Sequence, residues 1–334
     1  MAAVSEPALL PAAPGFWEPA PGCDDHYAAF PKEARVVVSD GTPIVYARRE
    51  PRRSVAPGAA MIFASSLSCS DVYWADVVPR LVDAGHVCIV PDTRGHGGSG
   101  LPRPPGRGAR NLTSEDLSVK RMALDLGEVL DDAGIDDAIV VGHSMGAQVA
   151  FELYRLCPER VSGLVLVAGA CDSPLDAVYG RRVVNATLPV SKAVMTLAPE
   201  IVQPIWPWLG SKRAGYLGAR LFGAAGPKTT ADGLHPYLLH LVESDPAVLV
   251  RALESMRRHS ARDLLPRVQV PVLLLAAGKD AFTPRACSEE LFERIPTAEI
   301  TWFPEAGHTL PIEEPAAIVD AIEEWSQRRV ASPV

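Results

Sequence analysis

The sequence has neither the long apolar runs nor the positive charge that two classes of protein require. No apolar run approaches the roughly 18 residues that a membrane-spanning helix needs. Acidic residues number 40 and basic residues 32, so the formal net charge is -8. Proteins that bind nucleic acids usually carry an excess of basic residues. The composition therefore disfavours both a transmembrane segment and a nucleic-acid partner.

Paired cysteines and clustered metal ligands are also missing. No two of the six cysteines form a CxxC pair, and several lie in apolar runs, where cysteine acts as a small hydrophobic residue. They stand at Cys23, Cys69, Cys88, Cys157, Cys171 and Cys287. No group of Cys and His has the spacing of a zinc site. We therefore expect reduced thiols, a cytoplasmic location and no metal.

The N-terminal region lacks the features of a secretory signal. It has no basic n-region, contains Glu6 and is interrupted by prolines. A signal peptide would place positive charge before an uninterrupted apolar segment. We interpret residues 1–33 as a flexible leader.

The rest of the chain alternates short apolar runs with segments of helical periodicity. Residues 34–50 predict a hairpin that turns at Asp40-Gly41. The later apolar runs have no polar face, which indicates a mostly parallel sheet covered by helices on both sides, the α/β class. A helix is predicted from residue 113 to 134, with Thr113 and Asp116 as a capping box variant.

The strand pattern is interrupted once, between residues 172 and 261. That segment is apolar, contains several prolines and has helical character without a clear strand. The strand pattern returns in "VPVLLLAAG" and "AEITWF". We therefore expect an α/β core in two parts, residues 34–171 and 262–334, with a mainly helical lid insertion between them.

The stretch Gly142-His143-Ser144-Met145-Gly146 matches the G-x-S-x-G motif. A strand pattern precedes it and a helix pattern follows, which is the setting of a nucleophile elbow. The serine backbone is strained in that turn, and side chains two positions away on either side would collide. Gly142 and Gly146 meet this requirement. The alternative is that Ser144 is an ordinary N-cap, which would not need glycine on both sides.

A serine nucleophile needs a base, and the base needs an acid that orients it. His308 follows the last strand pattern on a short loop that contains glycine, and Asp280 follows the penultimate strand pattern. The order Ser144, Asp280, His308 is the one expected for this type of enzyme. Asp172, which follows the preceding strand pattern, is the alternative acid. A loop histidine without a catalytic role is the alternative for His308.

The segments "GHSMG", "PDTRGHGGSG", "GKDAFTP" and "EAGH" occur in an order that resembles the α/β-hydrolase superfamily of serine hydrolases. The resemblance covers roughly residues 34–171 and 262–329. Haloalkane dehalogenases and epoxide hydrolases of this fold use an aspartate at the elbow, so Ser144 excludes those relatives. The resemblance implies acyl transfer through Ser144, His308 and Asp280, without a metal or cofactor.

The loop after the first parallel strand departs from the common pattern. Ser65-Ser66 stand where most members have His-Gly, counted back from Trp74. The resemblance implies that the backbone N–H groups of Leu67 and Met145 form the oxyanion hole. This loop, together with "DTRGHG", is similar to the 3-oxoadipate enol-lactonases and related esterases. The long leader and the long insertion distinguish this chain from those lactonases. The similarity therefore supports hydrolysis of an ester or lactone, but not of 3-oxoadipate enol-lactone in particular.

The expected substrate is a small carboxylic ester or lactone with a hydrophobic moiety. As a group, Trp206, Trp208 and Phe222 of the insertion suggest an apolar pocket, and the alternative for each of them is that it only packs the insertion onto the core. Met195, Ile205, Tyr216 and Leu221 are further candidates for that pocket. A thioesterase, a C–C bond hydrolase or a cofactor-free perhydrolase would use the same triad. A binding protein of this fold without catalytic activity is the alternative from another class.

Overall fold

The computed structural model describes residues 28–52, 58–69, 71–102, 112–173, 178, 181–197 and 206–329. Of the predicted leader, residues 1–27 lie outside these ranges. The last residues of the leader are tied to the core, because the backbone N–H groups of Ala29 and Phe30 donate to the carboxylate of Asp71, at 2.8 and 3.0 Å.

Eight strands within the described ranges form one sheet. They are β1 Ala34–Val37, β2 Pro43–Arg49, β3 Ala60–Ala64, β4 Val87–Pro91, β5 Ala138–His143, β6 Val161–Val167, β7 Val272–Ala277 and β8 Ala298–Phe303. The spatial order is β1-β2-β4-β3-β5-β6-β7-β8. β1 and β2 pair antiparallel, β2 runs antiparallel to β4, and the remaining neighbours are parallel. The predicted hairpin is confirmed, and Gly41 takes the positive φ (82°) that its turn requires.

Helices cover both faces of the sheet, which is why β5 and β7 are buried along their whole length. The described helices are α1 Val78–Asp83, α2 Val119–Asp132, α3 Met145–Leu156, α4 Arg181–Leu197, α5 Trp206–Leu209, α6 Lys212–Leu221, α7 Ala231–Glu243, α8 Pro246–Arg258, α9 Arg285–Arg294, α10 Leu310–Glu313 and α11 Pro315–Arg329. One apolar core contains residues of α2, α3 and α8, with Phe151 fully buried. The core on the other face contains residues of α1 and α11, including the buried Trp325.

The start of α2 differs from the prediction. Thr113 and Asp116 do bind each other, and the Thr113 hydroxyl donates to Asp116 Oδ2 at 2.8 Å. They lie in a turn ahead of the helix, which begins only at Val119. Ser118 is the N-cap, because its backbone is extended and its hydroxyl accepts from the N–H of Arg121 at 3.2 Å. The capping residue was therefore predicted five positions too early.

The helices α4 to α8 all lie between β6 and β7 in the chain. The two ends of this segment meet, since Asp172 forms an isolated antiparallel bridge with Ser260. The N–H of Ala261 also donates to the carbonyl of Cys171 at 2.8 Å. The segment therefore leaves the core and returns to it at one point, next to the carboxyl ends of the parallel strands.

Candidate active site

Ser144 lies at the junction of β5 and α3 with a strained backbone. Its φ is 56° and its ψ is -116°, outside the regions that residues with a side chain normally occupy. A Cβ atom on Gly142 would overlap the carbonyl group of Gly146, and one on Gly146 would overlap the carbonyl oxygen of Ala64. The two glycines therefore allow β5, the first turn of α3 and β3 to pack closely enough to hold the strained backbone of Ser144.

Three side chains from the ends of separate strands form a continuous hydrogen-bonded chain. His308 Nε2 lies 2.9 Å from Ser144 Oγ, and His308 Nδ1 lies 2.9 Å from Asp280 Oδ2. His308 and Asp280 are buried, and Ser144 is partly exposed. The structure therefore brings the predicted nucleophile, base and acid together in the order that the sequence suggested.

Asp280 is held in its ionised form by several donors. Burial acts to raise the pKa of its carboxyl, but His308 and Thr283 outweigh burial, and the pKa lies below its usual value. The N–H groups of Phe282 and Thr283 donate to Oδ1 at 2.7 and 2.9 Å, and the Thr283 hydroxyl donates to Oδ2 at 2.5 Å. An ionised carboxylate at Nδ1 favours the tautomer in which Nε2 accepts a proton from Ser144.

Asp172, the alternative acid, is engaged elsewhere. Its Oδ2 lies 3.2 Å from the guanidinium of Arg262. Burial raises the pKa of the Asp172 carboxyl, in contrast to the lowered pKa of Asp280. In the structure it is therefore Asp280, and not Asp172, that lies within hydrogen-bonding distance of His308.

The two predicted oxyanion donors belong to the wall of the cavity that contains Ser144. Leu67 and Met145 both line the same cavity as Ser144 and His308. Met145 is the first residue of α3, so its N–H has no acceptor within the helix. Leu67 belongs to a turn closed by the N–H of Cys69 and the carbonyl of Ser66, at 3.2 Å. Ser65 anchors this loop through Trp74, whose indole N–H donates to the Ser65 hydroxyl at 3.3 Å.

His143, which precedes the serine, contacts the base and was not singled out by the sequence. Its Nε2 lies 2.9 Å from the backbone carbonyl of His308, to which it donates. Burial lowers the pKa of His143 to about 3, so the ring is neutral at ordinary pH. It also packs against Tyr73, with ring centroids 4.9 Å apart. His143 therefore ties the loop of the base to the elbow without adding charge.

A cavity of about 130 Å³ lies against Ser144 and His308. Its remaining walls are mostly apolar or aromatic, and six of its residues come from the segment between β6 and β7. The lining consists of Ser66, Leu67, Tyr73, Ser144, Met145, Gln148, Ala170, Asp172, Ala224, Tyr237, Leu253, Met256, Phe282, Thr283 and His308.

The aromatic residues that we expected in the pocket lie elsewhere. Trp206 is buried between helices of the insertion, and its indole N–H donates to the carbonyl of Val242 at 3.1 Å. Trp208 and Phe222 are 61% and 68% exposed. Leu221 is exposed as well. Tyr216 is not part of the cavity lining, and its hydroxyl donates to the carbonyl of Thr229. Ile205 and the side chain of Met195 lie outside the described part of the structure.

The profile of the Alpha/beta hydrolase family matches residues 55–321. The chain belongs to this family. The predicted superfamily and the predicted fold class are thus confirmed, since the sheet order and the flanking helices agree with the family match. Among curated relatives, this hydrolase is 26% identical over 260 residues to a protein of Pseudomonas savastanoi pv. phaseolicola that is named as a carbamate hydrolase, RutD. The match covers 78% of this chain and 90% of the relative.

Solved structures share the fold at lower identity. The esterase EaEST from Exiguobacterium antarcticum superposes with a TM-score of 0.68 at 20% identity, covering 88% of this hydrolase and 98% of the esterase. The enol-lactonase from Burkholderia xenovorans LB400 superposes with a TM-score of 0.63 at 20% identity, covering 88% and 100%. Within the described residues, no helix is long and apolar enough to span a membrane, and no cluster of three His, Cys, Asp or Glu side chains could hold a metal ion.

Proposed function

We propose that the chain is a serine hydrolase that cleaves a carboxylic ester or lactone with a hydrophobic moiety through an acyl-enzyme. The observation that carries the proposal is the hydrogen-bonded chain from Ser144 through His308 to Asp280 beside a largely apolar cavity. A strained serine of this geometry supports nucleophilic attack better than a role as a helix cap.

The proposed reaction has two halves. His308 Nε2 takes the proton of Ser144 while Oγ attacks the substrate carbonyl, and the N–H groups of Leu67 and Met145 stabilise the oxyanion. His308 then donates that proton to the leaving alcohol. Water, activated by the same nitrogen, attacks the acyl-enzyme and releases the acid. Asp280 stays ionised throughout and holds the imidazole in its orientation.

A series of p-nitrophenyl esters of increasing chain length, combined with a fluorophosphonate probe, tests the proposal. The wild-type protein should hydrolyse esters and react with the probe. Ser144→Ala should lose the labelling and at least about 10⁴-fold in kcat. Ser39→Ala, at a serine outside the cavity lining, is the matched control and should behave as the wild type. Absence of both hydrolysis and labelling in the wild type would overturn the proposal.

A second candidate is the hydrolysis of a carbamate, which places a nitrogen on the carbonyl carbon. The relative named as a carbamate hydrolase favours it, because that match extends over 90% of the relative. The same Ser144 would be acylated, so only the substrate distinguishes the two candidates. Release of ammonia or amine from simple carbamates, at a higher kcat/KM than for any ester of the series, would favour this second function.

A further inference from the structure

Gln148 is a buried amide beside the nucleophile that the proposed reaction does not use. It lies on α3 four residues after Ser144, on the same face of the helix, and it lines the cavity. The residue as a whole is only 1% exposed. Nε2 donates to the backbone carbonyl of Met256 at 3.3 Å.

The other half of this amide has no partner. Gln148 Oε1 is buried and accepts no hydrogen bond from any described residue. The orientation of the amide is set by Met256, whose carbonyl can only accept, so the nitrogen must face it and the oxygen must face away. Buried acceptors are almost always paired, so the unpaired oxygen of Gln148 requires a partner, and a bound substrate in the cavity can supply one.

The surroundings indicate what that partner carries. Leu67, Ala170, Leu253 and Met256, which have apolar side chains, line the same cavity. Its described lining includes no Lys or Arg, and its one acidic residue is Asp172, which is paired with Arg262. A negatively charged acyl group would therefore be disfavoured, whereas a neutral group with an O–H or N–H donor would satisfy Oε1.

We propose that Gln148 Oε1 determines specificity by accepting a hydrogen bond from a hydroxyl or amide N–H on the acyl part of the substrate. Side chains one helical turn apart are about 5–6 Å from each other. The donor would thus lie about three bonds from the carbonyl carbon that Ser144 attacks, as in a 3-hydroxyacyl ester. The substrate class is a neutral hydroxyacyl or acylamino ester or lactone. This inference rests on the proposed function, because it places the acyl group at Ser144.

Three p-nitrophenyl esters separate donation from size and polarity. In 3-hydroxypropanoate a hydroxyl replaces the terminal methyl of butanoate, and 3-methoxypropanoate carries an oxygen that cannot donate. The wild type should hydrolyse the hydroxy ester with a kcat/KM about tenfold above that of butanoate, and the methoxy ester should gain no such preference. Equal rates for the hydroxy ester and butanoate, or an equal gain for the methoxy ester, would overturn the inference.

Gln148→Met keeps the length of the side chain and removes the acceptor. The ratio of kcat/KM between the hydroxy ester and butanoate should fall to about one, through loss of the hydroxy ester. Gln269→Met, at an exposed glutamine outside the cavity lining, should retain the wild-type ratio. If Gln148→Met retained the preference, Gln148 would not be its source.

A binding measurement keeps this test separate from the proposed function. The hydroxy ester and butanoate are titrated by calorimetry into Ser144→Ala, which needs no turnover. Tighter binding of the hydroxy ester by about tenfold, lost in Ser144→Ala/Gln148→Met, supports the subsite even if the wild type cleaves neither ester. Equal affinities would reject the subsite even if the wild type proves to be an active esterase.

Discussion

The two glycines that flank Ser144 let backbone segments meet where no side chain fits. Gly146 faces the end of β3, and Gly142 faces the first turn of α3. The strained φ and ψ of Ser144 persist because close backbone packing holds Gly142 and Gly146 in place. The elbow is therefore a packing feature as much as a chemical one.

Gly146→Ala should destabilise the protein strongly. The new Cβ would overlap the carbonyl oxygen of Ala64, so either β3 or α3 must move, at a cost of about 3 kcal/mol or more. Gly218→Ala is the matched control, because it lies in the helix α6 with open space around it and should add roughly 0.5–1 kcal/mol of stability. Urea unfolding measures both. An unchanged free energy of unfolding for Gly146→Ala would contradict the described elbow.

Replacement of each candidate acid separates Asp280 from Asp172. Asp280→Asn should lower kcat by about 10³–10⁴-fold, because the neutral amide no longer stabilises the charged imidazole. Asp172→Asn should lower kcat by less than tenfold, since Asp172 binds Arg262 and not His308. Steady-state kinetics with one ester decide the matter. The reverse pattern would transfer the role of acid to Asp172.

Between elements, a buried arginine joins the first hairpin, the loop after β4 and α2. Arg94 has no exposed side-chain surface. Its guanidinium donates to both carboxylate oxygens of Asp125 at 2.6 Å, to Asp40 at 2.9 Å and to the carbonyl of Asp116 at 2.8 Å. The last contact holds the turn ahead of α2.

Asp125→Asn should cost about 3–5 kcal/mol of stability, because it leaves the buried guanidinium of Arg94 without its bidentate partner. The double variant Arg94→Met/Asp125→Leu removes both charges and should recover much of this loss. Thermal and urea unfolding report the difference. If the double variant were as unstable as the single one, the loss would come from packing and not from the unpaired charge.

The sequence predicted those parts of the site that follow directly from strand ends. Ser144, Asp280 and His308 each come just after an apolar run, and parallel strands bring their carboxyl ends to one edge of the sheet. The pocket was not predictable in this way. Helices of the insertion are apolar on several sides, so only their docking decides that Tyr237 and Met256 line the cavity while Phe222 faces solvent. Gln148 was not predicted as a site residue, because nothing in the sequence indicates that this glutamine is buried.

At the scale of the whole molecule, buried neutral histidines make stability depend on pH. Burial lowers the pKa of His143 and of His240 to about 3, and it also lowers that of His96. The rings of His96 and His240 stack with centroids 6.3 Å apart, which joins α7 to the loop after β4. Lys32 and Asp71 are the nearby charged groups that act on His240.

Stability should be greatest above about pH 6.5 and should fall as the pH decreases toward 3. In that range the unfolded chain binds protons at these histidines and the folded protein does not. Each histidine contributes at most about 1.4 kcal/mol per pH unit. His240→Phe keeps the stacked ring and should flatten the slope by about that amount, as measured by urea unfolding at a series of pH values. A slope unchanged by His240→Phe would show that His240 binds protons equally in the folded and unfolded protein, against the lowered pKa.

The hydrogen bond between Ser144 and His308 joins residues 164 positions apart. During synthesis on the ribosome, at about 5–20 residues per second, the base follows the nucleophile by roughly 8 to 33 seconds. On the proposed mechanism, a growing chain that already carries the strained serine has no group to take its proton. On that mechanism, the nascent protein lacks its general base until translation has passed β8 and the loop behind it.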